Sequence, residues 1–357
     1  MNKFKIGETW IGDGCPLYFI ADIGANHDGE LQRAFDLIEL AKESGANAAK
    51  FQNFKAHSIV SSKGFSQLDT RVSHQLEWSE SVYEIYEKAS ISYEWTSKIK
   101  EKCTDVGIDY FTSPYDFESV DHVNPFLEVF KIGSGDITWL EIIAYIAKKN
   151  KPVLLATGAS SMEDVDRAMS ELGKYASDIV LMQCNTNYTA SPENFKYINL
   201  NVLKKYRGKY PNAILGLSDH TPGYSTVLGA IALGATVFEK HFTDDNDRQG
   251  PDHKFAMNPK SWSEMINSSN ELLLSLGDGI KRIEANESET KIVQRRALRY
   301  ASDFKRGTVI TKRDLVAVRP CLQNAIPPYL IDQILGLKLG VDVDIDELVK
   351  YEDFRND

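Results

Sequence analysis

Residues 213–242 read AILGLSDHTPGYSTVLGAIALGATVFEKHF, and the architecture follows from this unit. An apolar, β-rich run at 213–218 passes through a Pro-Gly turn into a short apolar helix at 226–234 that stops at glycine. A second apolar run follows at 236–242. Strand, helix and strand in so short a span form the parallel βαβ pattern. Alternate residues of a strand share a face, so Ser218 and His220 point one way together, and so do Glu239 and His241. Lys240 falls on the opposite face, toward the helix layer.

Working toward the N-terminus, the same unit recurs. Further strand-like runs lie at 18–24 (YFIADIG), 47–52 (NAAKFQ), 109–113 (DYFTS), 128–133 (EVFKIG), 152–157 (PVLLAT) and 179–184 (IVLMQC). Residues 31–44 carry apolar side chains at helical spacing, and 162–172 follows Ser160-Ser161 with Glu163 and Asp164 in its first turn. Eight strands separated by helices predict an α/β fold, a parallel (β/α)8 TIM barrel of about 250 residues. An open doubly wound sheet is the alternative. No GxGxxG follows the first strand, which counts against dinucleotide binding. The insertion at 55–93 is longer than ordinary connections and reads as a lid or a contact surface.

Toward the C-terminus the character changes near Gly277. GDGIKRIEANESETK is polar and charged, and the runs beyond it are short and broken by Gly, Pro and charge. The expected domains are a barrel at 1–280, a linker at 281–293 and a small second domain at 294–357. The 357 residues carry 41 Lys and Arg against 51 Asp and Glu, a net charge of −10. That balance argues against a nucleic-acid partner but not against an anionic small molecule held by a few local lysines. No apolar run reaches the roughly 18–20 residues needed to cross a bilayer. The first residues, MNKFKIGETWIGDG, lack a signal-like apolar stretch. With four widely spaced cysteines, unpaired thiols in a cytoplasmic protein are the expectation.

Polar residues gather at the C-terminal ends of the strands, the rim where barrel active sites lie. Lys50 and Gln52 share a face, Lys131 precedes the IGSGD turn with Ser134 and Asp136, and Asp22 lies late in the first strand. Burying a lysine is costly unless it is paired. Two at one rim read either as structural ion pairs or as an anion clamp, to which the glycine turn adds backbone donors. His220 and His241 end consecutive strands and are candidate ligands of a divalent ion, with carboxylate and water completing the shell. His27 is placed to fix the first loop. His57, His74 and His122 read as surface or structural. RQGPDHKF, at 248–255, reads as a solvated turn in which Asp252 could meet sugar hydroxyls.

The stretches IADIGANHDG, AAKFQNFK, FTSPYDFESVD, FKIGSGDI, LLATGA, LGLSDHT, GATVFEKHFT and GPDHKFAMNP, in that order, resemble the N-acetylneuraminate (sialic acid) synthase family over nearly the whole chain. ASDFKRGTVITKRDLVAVRP resembles the start of that family's C-terminal antifreeze-like (SAF) domain. The resemblance implies condensation of phosphoenolpyruvate with an N-acyl hexosamine similar to N-acetylmannosamine, giving a nine-carbon 3-deoxy-2-keto acid and phosphate. It implies a divalent metal (Mn2+, Co2+ or Mg2+) on His220 and His241. It also implies phosphoenolpyruvate on Lys50, Ser113, Lys131, Ser134 and Ser218, and the sugar on Gln52, Tyr188, Asp252 and Arg319. Glu239, Asp22 and Asp136 are the carboxylates open to a proton-handling role. A domain-swapped homodimer, with Arg319 reaching a partner's barrel, is implied as well. The chain departs from the family pattern in having Asp22 and Asp136 where glutamate is usual, Ala156 where serine is common, CNTNYTA at 184–190, and RPCLQNAIPP at 319–328 in place of a glycine-rich stretch. A class I aldolase using Lys50 or Lys131 as a Schiff-base nucleophile and a non-catalytic sugar-binding protein remain as alternatives.

Overall fold

Strands covered on both faces read as continuous apolar runs, and those in this chain are buried accordingly. Tyr18–Asp22 (β3), Phe130–Ile132 (β6), Val153–Ala156 (β7), Ile179–Cys184 (β8), Ile214–Asp219 (β9) and Val237–His241 (β10) are buried at every position. Ala48–Asn53 (β4) and Asp109–Pro114 (β5) are buried save for one residue each. The structure, a computed structural model, describes residues 2–67, 78 and 80–354. It divides into compact units at Met1–Gly277 and Asp278–Asp357.

In the first unit the strands form one eight-stranded sheet in the order β5-β4-β3-β10-β9-β8-β7-β6. The first and last strands of the series, β3 and β10, pair in parallel from Tyr18 opposite Val237 to Asp22 opposite His241. The sheet therefore wraps into a barrel whose ladder is continuous except between β5 and β6. All eight predicted strands are present, with ends shifted by a residue or two. Around them run α1 (Leu31–Glu43), α2 (Ala56–Ile59), α3 (Ser62–Ser66), α4 (Val82–Ala89), α5 (Tyr93–Val106) and α6 (Phe117–Val123). They are followed by α7 (Leu140–Ala147), α8 (Met162–Leu172), α9 (Val202–Lys209), α10 (Ser225–Ala232) and α11 (Pro259–Leu276). The helix starts have local causes. Ser161 caps α8 in a reciprocal box with Asp164, and Asn258 does the same for α11, with proline in the first turn. Each main helix turns an apolar stripe to the sheet, as α1 does with Ala34, Leu37, Ile38 and Ala41.

The sequence reading had no element before residue 18, yet Lys3–Ile6 (β1) and Thr9–Gly12 (β2) form an antiparallel hairpin. Its Phe4, Ile6 and Ile11 join the same apolar cluster as Tyr18, Ile214 and Val237, the first residues of their strands. The hairpin thus closes the N-terminal mouth of the barrel, which fills its lower interior and confines polar groups to the opposite rim.

The second unit holds α12 (Ser288–Gln294) and the antiparallel pair Ala297–Tyr300 (β11) and Leu315–Val318 (β12). It has a core of its own built on Leu298, Tyr300, Ile310, Ile326, Ile334 and Val349. The stretch 281–293, expected as a linker, includes most of α12 and is exposed throughout. Of the insertion at 55–93, residues 68–77 and 79 lie outside the described residues, and so does His74.

Ile11 is 0% exposed inside the plug. Ile11→Ala should cost about 2–5 kcal/mol in urea unfolding, the range for a large-to-small change in a packed core. A loss below about 1 kcal/mol would mean that the hairpin does not seal the barrel.

Candidate active site

The polar ends of the barrel strands converge on one cavity of about 360 Å³. Asp22 of β3, Lys50 and Gln52 of β4, Ser113 of β5 and Lys131 of β6 line it, with Ser134 and Asp136 from the turn after β6. Ser218 and His220 at the end of β9, Glu239 and His241 of β10, and Tyr188 and Asp252 from later loops complete the predicted set within the barrel. Arg319 belongs to the second unit, directly after β12.

The lysines are matched by carboxylates. Lys131 Nζ lies 3.0 Å from Glu239 Oε1, and Lys50 Nζ lies 3.7 Å from the same oxygen and 2.6 Å from Asp22 Oδ2. The ion-pair reading of the lysines therefore holds, and both also line the cavity. Burial disfavours the Glu239 carboxylate, but Lys131 and Lys50 outweigh it and hold its pKa well below the usual range. Burial likewise opposes the Lys50 ammonium, and Asp22 and Glu239 raise its pKa above the ordinary lysine value. Ser218 Oγ donates to Glu239 Oε1 at 3.3 Å, and Ser134 Oγ accepts from Gly158 N at 2.9 Å. Asp22 Oδ1, Glu239 Oε2 and Ser113 Oγ are buried and have no hydrogen-bond partner among the described residues. Such groups are costly to leave unmatched, so each is a contact in waiting for a bound molecule.

The two imidazoles stand together, ring centroids 5.4 Å apart. His220 Nδ1 lies 2.9 Å from the carbonyl oxygen of Asn185. Donation there leaves the Nε2 lone pair free, the orientation of a metal-ligating histidine. Burial and His241 lower the His220 pKa, which keeps that ring neutral. His241 Nε2 lies 3.4 Å from Asp22 Oδ2, and its Nδ1 lies 3.4 Å from Asp252 Oδ2. Burial opposes its protonation, and the two carboxylates outweigh burial and raise its pKa. Among the described residues no three His, Cys, Asp or Glu side chains stand ready to enclose an ion. The donor set is an open one, two nitrogens with Asp22 and Asp252 beside them.

The loop at 248–255 is only in part the solvated turn expected: Arg248, Gln249, Gly250 and Lys254 are exposed, whereas His253 and Phe255 are buried. Asp252 Oδ2 accepts from Ala25 N at 3.1 Å, and fully buried His253 bridges Asp28 Oδ1 at 2.9 Å and Thr243 Oγ1 at 2.7 Å. Gly24 makes this approach possible: its φ is +50°, and a Cβ there would lie 2.7 Å from Asp252 Oδ2. His27 does fix the first loop, accepting from Gly29 N at 3.0 Å. Sequence reasoning missed His253 and most of the apolar wall. Ile59, Val60 and Phe65 of the 55–93 insertion, with Tyr86 on α4 and Tyr115 after β5, flank the cavity. The only signal for them was the length of the insertion and the aromatic residue in TSPY.

Asp136 differs from its neighbours. It makes no ion pair among the described residues, and burial alone lifts its pKa to about 6.

Residues 37–281 match the NeuB family, and residues 295–355 match the SAF domain. The chain is 33% identical over 338 residues to the N,N'-diacetyllegionaminic acid synthase of Campylobacter jejuni, covering 93% of this chain and 98% of that one. It is 30% identical over 342 residues to a pseudaminic acid synthase of Campylobacter jejuni, covering 95% and 97% respectively. A crystal structure of N-acetylneuraminic acid (sialic acid) synthetase from Leptospira borgpetersenii serovar Hardjo-bovis, in complex with citrate, aligns with a TM-score of 0.70 at 26% identity. That alignment covers 81% of this chain and 95% of the other.

The raised Asp136 pKa sets a stability test. An aspartate titrates near 3.9 when unfolded and near 6 here. Its ionisation therefore costs folded-state stability increasingly from about pH 4 to pH 6, and a constant amount above that. Asp136→Asn should stabilise the chain by about 1–2 kcal/mol near pH 7.5, with the gain shrinking toward zero near pH 4. Urea unfolding at both pH values checks this, and an equal gain at both would assign the effect to something other than the charge.

Proposed function

The chain belongs to the NeuB family, a family of sugar-acid synthases, and from that premise we propose that it condenses phosphoenolpyruvate with an open-chain N-acyl hexosamine to a nine-carbon 3-deoxy-2-keto acid, releasing phosphate. The observation that carries this reading is the grouping of two buried strand lysines with two buried imidazoles around one cavity. Lys50 and Lys131 are the cations for the carboxylate and phosphate. Ser113, Ser134 and Ser218 supply hydroxyls beside them, and Gln52, Tyr188 and Asp252 face the sugar.

The lining of the cavity suits a bound divalent cation. Lys50 and Lys131 pair with Asp22 and Glu239, and Asp22 and Asp252 each lie 3.4 Å from the His241 ring, so a cation there would meet anionic oxygen as well as imidazole nitrogen. His220 and His241 are the residues that would hold it. When bound, such an ion polarises the sugar aldehyde toward attack by C3 of phosphoenolpyruvate.

The chain's own groups account for the remaining steps. The lysines hold the phosphoenolpyruvate carboxylate and phosphate so that C3 lies against the aldehyde carbon. C–C bond formation turns the aldehyde oxygen into an alkoxide, which takes up a proton to become a hydroxyl, and leaves positive charge at C2. Water adds at C2 and gives up one proton; the C2–O bond to phosphate then breaks as the second proton leaves, giving the keto acid and phosphate. Of the three candidate carboxylates, Glu239 is locked between two ammonium groups and Asp22 is held by Lys50. Asp136, with a pKa of about 6, is the one poised to take the water proton near neutral pH. A Schiff base on Lys50 fits less well, because an amine nucleophile needs a lowered pKa, whereas that of Lys50 is raised.

Phosphate release from phosphoenolpyruvate, measured against a panel of N-acyl hexosamines, tests the reaction. Turnover should require one of those acceptors, vanish in chelator and return with Mn2+, Co2+ or Mg2+. Full activity in excess chelator would remove the metal from the proposal. Lys131→Ala should lower kcat/KM for phosphoenolpyruvate by roughly 2–4 kcal/mol, the scale for losing one partner of a desolvated charge contact. Unchanged kinetics in that variant would contradict the assignment of Lys131.

A further inference from the structure

Between the cavity residues of β9 and β10 lie two charges that the cavity does not use. Asp219 separates Ser218 from His220, and Lys240 separates Glu239 from His241. The strands pair with Glu239 opposite Ser218 and Lys240 opposite Asp219. Both side chains leave the barrel on its helix side, at 3% and 2% exposure. There Lys240 Nζ contacts Asp219 Oδ2 and donates to the carbonyl oxygen of Thr221 at 2.8 Å. The hydroxyls of Thr221 and of Thr226 on α10 each donate to Asp219 Oδ2 at 2.8 Å. Besides Thr226, the buried residues of α10 are the apolar Val227, Ala230 and Ile231.

A fully matched pair in such a place discriminates between strand registers. A slip of one residue between β9 and β10 would turn one charge into the barrel and one imidazole out of it. A slip of two would keep the faces but part the charges, leaving each buried alone, which is strongly unfavourable. Only the observed register matches both charges and also brings the His220 and His241 rings to 5.4 Å. The bond from Lys240 to the Thr221 carbonyl ties down the backbone directly after His220, while Asn185 O holds the His220 ring.

We propose that the Asp219–Lys240 pair is a register clasp that positions His220 and His241 for a divalent cation. The inference rests on the reading of those histidines as the ion's ligands. Asp219 and Lys240 are positioning residues, since neither reaches the cavity.

The test uses the metal-stripped full-length chain titrated with Mn2+ alone, followed by the paramagnetic resonance of free Mn2+. Asp219→Asn/Lys240→Met removes both charges together, keeps an acceptor for the threonine hydroxyls and keeps the length of the lysine stem. This double variant is expected to fold, with its thermal midpoint within a few degrees of wild type. Its Kd for Mn2+ should rise about ten- to hundredfold, the range for residues that orient metal ligands. A folded double variant that binds Mn2+ with wild-type affinity overturns the clasp. His220→Ala, measured alongside, separates the two levels. If it binds Mn2+ as wild type does, the ligand reading fails and the clasp fails with it. If it loses binding while the double variant keeps it, the clasp alone fails. Should the double variant not fold, Thr226→Val decides the matter. It keeps both charges and removes one hydrogen bond to Asp219, so an Mn2+ Kd raised at least about threefold supports the clasp. An unchanged Kd overturns it.

Discussion

Two ammonium groups buried at one end of an apolar barrel have to be matched by carboxylates, and the match governs the arrangement of the site. Glu239 lies between Lys131 and Lys50, and Lys50 continues to Asp22, which in turn faces His241. These residues come from β3, β4, β6 and β10, so the chain of charges spans the barrel mouth. Moving any one of these strands would leave a desolvated charge without its partner. The same arrangement keeps the cavity polar without filling it, because Asp22 Oδ1, Glu239 Oε2 and Ser113 Oγ still have capacity for a ligand.

The rest of the fold supplies what that arrangement needs. The N-terminal hairpin fills the lower barrel with Phe4, Ile6 and Ile11, so polar groups have nowhere to go but the upper rim. On the outer surface of β9 and β10 a second buried ion pair lies against Thr226 of α10, separated from the first by a single step of strand alternation. Inner charges face the cavity and outer charges face the helix layer. Both depend on the same period of two, so one register serves both.

Within this frame three acidic side chains that look equivalent in sequence become distinct. Asp22 ends β3, Glu239 lies within β10 and Asp136 follows β6. Two of them lie against lysines, and Lys131 and Lys50 hold the Glu239 pKa well below the usual range. The third meets only desolvation and has a pKa of about 6. The difference arises from which strands are neighbours across the barrel mouth, information that no local motif carries. The loop at 250–255 shows the same limit. Its composition suggests a solvated turn, but the left-handed backbone at Gly24 lets Asp252 reach the first loop and His241.

The sequence by itself determined the barrel, because eight apolar runs alternating with amphipathic helices have few other ways to bury both faces of every strand. It also determined which side chains face the cavity. Strand alternation is strictly local, so Ser218 with His220 and Glu239 with His241 were readable two residues at a time, and Lys240 was readable as facing away. The hairpin escaped that reading because its two four-residue strands owe their order to the barrel mouth they plug, through contacts distant in the chain. Only the tertiary structure decided which lysine meets which carboxylate, which carboxylate makes no ion pair among the described residues, and where Lys240 finds Asp219. Pairing energies depend on distance and desolvation across strands far apart in the chain, and those quantities do not exist until the barrel closes.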